Sequence, residues 1–555
     1  DALLTESSLW FDANASYLCS SKTKCMKRSF LLLIFISQLI LSAKSQNNFI
    51  ACGEQSGTWN YDTVFVHCDV VVPHLQMLQI LPGTKIIFKG HYSIHVQGNI
   101  KALGTMADSI QFSIDDTLGF SDIHSNAGGW NGLRFEDTSQ ENDSSLFSYC
   151  KFSYGKAVGD SANCFGGAIM AIRSDKIAIR HSTLDNNYAF YWGGALYAFK
   201  SNISMDFVEV SSNYAGNDGM IYGYGGGLCF VSCEPDLRFM HFTKNRSTGI
   251  GGGASFEYSR PLIVNAVFDD NFSGLGGALG FLRSQPDRQI ANLLIMNNEA
   301  YFFGGGIANV AASPIMTNVT IVNNFAAMGG GLYCNEFSHA KLYNSILWGN
   351  NSYDSIGSQV WIWDIVSEPG FYNCAVQHGT SLFGGSTFIG EYLNCTENDP
   401  LFTDPSNDNY RLSPQGSCFN AGTTDIPAFS LPAFDLDMQQ RVHYGAIDIG
   451  AFEYNGPVQV YERQAQKLDM KVFPMPVQKI SVLEIFTDSE VICQLFLDDI
   501  TGKRHEIRKG ILLRKGKNTF TLTELFTEPE RLPSGVYLVG IRLENGLQKG
   551  IRIFL

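Results

Sequence analysis

The chain has 555 residues, 45% hydrophobic and 17% charged, with 53 acidic against 39 basic side chains and a formal net charge of -14. Disordered chains carry far less apolar surface than this, and nucleic-acid or anionic-membrane binders carry a basic footprint, so both classes are excluded. Glycine is frequent, at 55 residues, but follows no triplet period, which excludes a collagen-like chain.

Met26 opens the stretch MKRSFLLLIFISQLILSAKSQ. Lys27 and Arg28 form a basic start, Phe30 to Leu41 an apolar run, and Ala43-Lys44-Ser45 a small-x-small cleavage site before Gln46. This is the layout of a secretory signal peptide over residues 26–45, with a run too short to span a bilayer comfortably. Residues 1–25 then read as upstream sequence outside the native protein, and the mature chain is expected to be secreted or held at an outer-membrane surface. Of 13 cysteines, 11 follow the signal. Export permits disulfides, with Cys52/Cys68 and Cys150/Cys164 as candidate pairs, and the odd number leaves a thiol over. Cys229-x-x-x-Cys233 has no second ligand pair and is not read as a zinc site.

Residues 46–150 read as an N-terminal cap and first coils, and residues 151–350 as a repeat. The repeat is marked by Asn187, Asn213, Asn245, Asn271, Asn298, Asn324 and Asn350, at spacings of 26, 32, 26, 27, 26 and 26. A Gly-Gly-small cluster follows each marker but the last, as at Gly193-Gly194-Ala195 and Gly329-Gly330-Gly331. Three residues before the markers stand Leu184, Val210, Phe242, Phe268, Ile295, Ile321 and Leu347; eight before stand Ile179, Met205, Leu237, Ile263, Ile290, Met316 and Leu342. Both columns are apolar throughout, and local alternation such as MTNVTIV suits strands.

A fixed period with strand chemistry predicts an all-β fold, a right-handed parallel β-helix in which equivalent residues of successive coils lie about 4.8 Å apart. Apolar columns then become internal stacks. Asn265, Asn292, Asn318 and Asn344 stand six before their markers and are expected to form a structural amide ladder; the markers form a second column, at the repeat corner. Glycine and asparagine suit such corners because both tolerate left-handed backbone. Arg180, Asp206 and Arg238, seven before their markers, alternate in sign and are placed to pair.

The Gly-Gly-Ala/Leu/Ile clusters, with FTKN at 242–245 and FDDN at 268–271, resemble the repeats of chlamydial polymorphic outer-membrane-type β-helix proteins. VVVPHLQMLQILPGTKIIFKGHYSIHVQGNIKALGT is similar to the opening coils of secreted right-handed β-helices. Residues 351–455 combine final coils with a stretch that resembles the choice-of-anchor Q module, through Asp448-Ile449-Gly450-Ala451-Phe452-Glu453-Tyr454. After a linker at 456–466, residues 467–555 read as short alternating strands of a small Ig-like β-sandwich. They resemble the type A sorting domain of the Bacteroidetes type IX secretion system, with Pro474-Met475-Pro476 where that family has Pro-Asn-Pro. The resemblance implies the type IX machinery as partner, outer-membrane translocation, and cleavage of this domain.

Secreted β-helices include polysaccharide lyases and hydrolases, whose chemistry demands a definite set of side chains. Hydrolysis needs two carboxylates about 5–9.5 Å apart. Asp185 and Asp269 share a register but lie three coils apart, about 14 Å. Asp269 and Asp270 point apart or into water, and His241 is isolated. No catalytic residue is assigned. Asp435, Asp437 and Asp448 offer oxygen ligands for Ca²⁺, though turn hydrogen bonding is their commoner use; no other cofactor is implied. Tyr188, Tyr214, Tyr301 and Trp192 crowd the repeat corner as candidate ligand contacts, exposed for stacking on sugars or buried as filler. The sequence therefore predicts a monomeric, non-catalytic adhesin or scaffold that contacts a polysaccharide or host protein, the alternative being an extracellular lyase or glycoside hydrolase of the pectate-lyase-like class.

Overall fold

The computed structural model describes residues 47–554 except 161–162, 218–222, 286, 354, 428, 443–444, 455–467, 474–480, 488–489, 500–503, 523–535 and 544–547. The signal segment, the 456–466 linker and Pro474-Met475-Pro476 lie outside the described residues. The chain divides into two compact units, 1–455 and 456–555.

The first unit is a right-handed parallel β-helix. Coiling begins with Asn48–Glu54 paired in parallel to Thr63–Val72, and continues past Asn350 to Phe371↔Tyr392. The sequence placed the last Gly corner before Asn350; Gly357, at φ 72°, supplies one more. The two apolar columns are in direct register: Ile179, Met205, Leu237, Ile263, Ile290, Met316 and Leu342 form one stack, and Leu184, Val210, Phe242, Phe268, Ile295, Ile321 and Leu347 the other. All are buried. Phe242 and Phe268 lie face to face at 4.5 Å.

From the coil that holds Tyr149 to the one that holds Asn318, each coil turns at four left-handed corners. In the coil beginning at Leu262 these are Asn265 (φ 59°), Asp270 (φ 53°), Gly276 (φ 65°) and Arg283 (φ 44°). The second glycine of each cluster answers to a different constraint, the next coil's backbone: a Cβ on Gly277 would stand 2.3 Å from the Gly305 carbonyl oxygen.

The marker asparagines point inward and form the continuous amide ladder. From Asn187 to Asn324, each Nδ2 donates to Oδ1 of the next coil's asparagine at 2.9–3.0 Å, and each backbone N–H donates to the same oxygen at 2.9–3.2 Å. The second Nδ2 hydrogen reaches a carbonyl of the preceding coil, as from Asn271 to Phe242 O at 3.0 Å. Gln359 Oε1 closes the series on Asn350 at 2.7 Å. A further column at the opposite corner escaped the sequence reading: Ser174, Ser201, Cys233, Ser259 and Ser284 are linked coil to coil, each backbone N–H donating to the next hydroxyl or thiol at 2.9–3.3 Å.

Cys52 and Cys68 are disulfide-bonded. Cys150 and Cys164 are not. The Cys150 thiol faces the Ala102 carbonyl inside the cylinder, while Cys164 lies in a loop against Asp160 O, so no bridge joins them.

After Thr396 the chain leaves the coils. It forms an antiparallel pair, Phe402–Asp404 with Asn409–Leu412, then an irregular strap to Tyr454 that lies back along the β-helix. In the second unit, antiparallel strands form two sheets, Asp469–Phe473/Val482–Thr487/Gly516–Thr521 and Arg504–Leu513/Val491–Asp499/Val536–Leu543/Gln548–Phe554. They share one core that includes Leu483, Ile485, Leu495, Val539 and Ile541.

Candidate binding surfaces

The outward corner six residues before each marker is one column with two halves. Tyr149, His181, Phe207 and Phe239 come first, then Asn265, Asn292, Asn318 and Asn344, all with φ between 45° and 59°. Left-handed backbone is cheap for asparagine and costs other residues about 1–2 kcal/mol.

The asparagine half does not form the self-contained ladder expected of it. Only Asn292 bonds a column neighbour, donating to Asn265 Oδ1 at 2.7 Å. Because the corner faces outward, the amides meet the strap instead. Asn292 also donates to Phe434 O at 2.7 Å, Asn318 to Asp448 O and Gly450 O at 3.3 Å, and Asn344 exchanges two 2.8 Å bonds with the Thr423 backbone. Arg441 is fully buried over this strip. It donates to Asn292 Oδ1 at 2.6 Å and to Glu453 Oε1 at 2.7 Å. Burial pushes the Glu453 carboxyl up, against the pull of Arg441.

The DIGAFEY stretch is thus the strap's latch. Asp448 accepts the backbone N–H of Asn420 and of Tyr454, and Asp435 those of Gln439 and Glu453. Asp437 is paired with Arg411. These carboxylates are committed to turns and an ion pair, and the structure does not gather them into a Ca²⁺ ligand set.

The aromatic half is uncovered. Its rings stack in series: Tyr149 on His181 at 4.9 Å, His181 on Phe207 at 5.0 Å, Phe207 on Phe239 at 4.4 Å, none tilted by more than 14°. Phe207 is 48% exposed. Each stacked pair returns about 0.5–1.5 kcal/mol, which roughly offsets the backbone cost of seating an aromatic residue there. Charged and polar columns flank the ridge, with Arg180, Asp206 and Arg238 on one side and Lys151, Thr183, Glu209 and His241 on the other. Arg238 bonds Asp236 of its own strand at 2.9 Å. Among the described residues no Arg180–Asp206 ion pair forms, so the expected pairing along the column is absent and those groups face solvent.

The corner aromatics divide. Tyr188 is buried, donates to Gly216 O at 2.9 Å and packs on half-buried Tyr214. Trp192 is half-buried, stacked on Tyr224 at 5.1 Å. Tyr301 is 63% exposed, beside Phe302, and Trp363, 53% exposed, joins this patch through Phe303. Trp363 was not anticipated, since it lies beyond the repeat.

Asp185 and Asp269 are three coils apart in one column, through Ser211 and Thr243. The turn of the antiparallel pair brings Asp408, unforeseen, opposite Asp269. Burial raises the Asp269 carboxyl, helped by Asp408 and Asp270. However, Asn297 Nδ2 donates to both carboxylates at 3.1 Å. The amide occupies the space that a water or glycosidic oxygen needs, so the pair ties the hairpin turn to the coils and does not form a hydrolytic dyad.

A polar recess of about 710 Å³ opens beside the first coils, with His91, His124, Asn131, Asn163 and Phe190 in its walls. Two buried cations shape it. Lys156 Nζ donates to Gly119 O, Asp122 O and Ala127 O at 2.8–2.9 Å, and Arg134 to Asn131, Phe165 and Gly166. Neither cation's role is announced by a motif.

No family profile matches the chain, and no curated protein does. Among solved structures, one match is the enzymatically active domain of tailspike protein 4 of bacteriophage CBA120, at 11% identity and TM-score 0.15, covering 88% of this chain and 61% of that one. The chain thus spans less than two thirds of the tailspike domain, and a superposition this loose carries no argument about a site.

Proposed function

We propose that the protein is a non-catalytic extracellular scaffold whose aromatic ridge binds an extended glycan. The observation that carries this reading is the ridge itself: four stacked rings, flanked on both sides by solvent-facing ionic and hydroxyl groups, left open where the strap ends. Sugars present apolar C–H faces and hydroxyls together, and such a surface answers both. The ring edges and the flanking side chains supply the contacts, because the ring faces are covered by their neighbours. A polymer lying along the corner would meet the same pattern at every coil. The secretory layout at 26–45 and the likeness of 467–555 to type IX sorting domains support export by that machinery and display at the cell surface or release from it.

The test is a glycan array probed with the full chain, followed by titration of the strongest binder. Binding that falls at least tenfold in a Phe207→Asn/Phe239→Asn double variant supports the ridge. Binding unaffected by that change sinks it. Turnover of acidic polysaccharide to unsaturated products would instead mark the protein as a lyase.

A further inference from the structure

We propose that Cys374 and Cys395 form a second disulfide, one that closes the last coils of the β-helix. The pairings Tyr372↔Leu393 and Ala375↔Thr396 bracket the two cysteines and set them in direct register. Each follows a left-handed asparagine, Asn373 at φ 52° and Asn394 at φ 53°, so both side chains leave the same corner of consecutive coils. Coil spacing of about 4.8 Å falls within the ~4.4–6.8 Å that separates the Cα atoms of a disulfide. The Cys374 backbone N–H already points at Cys395 Sγ, 3.4 Å away. A hydrogen bond from the Cys374 thiol holds the Cys395 thiol below its ordinary value, while burial pushes Cys374 up.

The chemistry follows from this asymmetry. Half-buried Cys395 is the accessible thiol and attacks a small-molecule disulfide RSSR as the thiolate, forming a mixed disulfide and releasing one RSH. Buried Cys374 then attacks Cys395 Sγ, and the second RSH leaves with its proton. Two protein thiols are oxidised to one disulfide, and one RSSR is reduced to two thiols.

The position gives the bond a purpose. A solenoid's end coils have a neighbour on one side only. Cys52–Cys68 ties the first coil to the second. Cys374–Cys395 does the same where the stacked coils run out.

The experiment uses the full chain incubated with oxidised glutathione, denatured, blocked with iodoacetamide and digested without reductant. No Lys or Arg lies between the two cysteines, but Glu391 does, so a Glu-specific protease separates them. The expected product is a linked peptide pair carrying Cys374 and Cys395, split by reduction. A Cys374→Ser variant should stop at glutathionylated Cys395. Recovery of both cysteines as alkylated thiols, or of wild-type Cys395 still carrying glutathione beside a free Cys374, overturns the proposal.

Discussion

Phe239 and Asn265 hold the same corner of consecutive coils, with nearly the same backbone, φ 51° and 59°. One ends a stack of open rings; the other begins the strip of amides that the strap covers, with its Nδ2 3.8 Å from Met438 Sδ. A single geometric column therefore serves two purposes, and the change of residue type marks the boundary.

Replacing the rings by the residue that the same column uses further along separates stability from binding. Phe239→Asn relieves about 1 kcal/mol of backbone strain and gives up one stacked pair of similar worth, and the Phe207→Asn/Phe239→Asn double variant gives up two pairs against two relieved corners. Thermal unfolding should move by less than a few degrees, while glycan titration shows the tenfold loss.

The inner ladder is far less tolerant. Asn271→Ala removes the acceptor of Asn245 Nδ2 and N–H and the donor to Phe242 O, all buried. At about 1–3 kcal/mol per stranded group, the loss should be at least about 3 kcal/mol by denaturant unfolding. Asn318→Ala, whose strap contacts are 3.3 Å long, should cost only about 1 kcal/mol.

Glu453→Ala leaves Arg441 buried without its counter-ion and should cost about 3–5 kcal/mol, localised to the strap. Limited proteolysis should then cut between residues 420 and 454 before the coils are touched. An Arg441→Met/Glu453→Leu double variant should recover much of the loss, because it buries no charge.

Gly277→Ala tests the coil contact. Its Cβ would meet the Gly305 and Glu299 carbonyl oxygens at 2.3 and 2.6 Å. The backbones must part, so denaturant unfolding should show a loss of about 3 kcal/mol or more, beyond the usual range for a surface substitution.

The sequence disclosed the columns that repeat with the coil in one distinctive chemical type. Asn187 to Asn350 and the columns of Ile263 and Phe268 were legible because each recurs at a nearly constant period and in one chemical type. Ser259 and Ser284 were not, since serine is common enough that its column has no contrast, and Cys233 interrupts it. His181, Phe207 and Phe239 share the register of Asn265, but a change of side chain hides a shared backbone role. The strap was illegible for another reason. Met438 meets Asn265 across 173 residues, and Arg441 meets Asn292 across 149. Nothing local in either segment names its partner, and the motif that contains Glu453 reveals its purpose only once the corner beneath it is seen.

The direct register also sets which lengths of chain are interchangeable. Excising one whole repeat between Arg180 and Phe239 would bring matching donors and acceptors together again and shorten the ring stack by one member. The same excision between Asn265 and Asn344 would leave a strap cut for a longer bed, its anchoring points each one storey out of place. A change of reach by whole storeys is therefore accommodated at one end of this tower, while the other end is fixed in height by what lies across it.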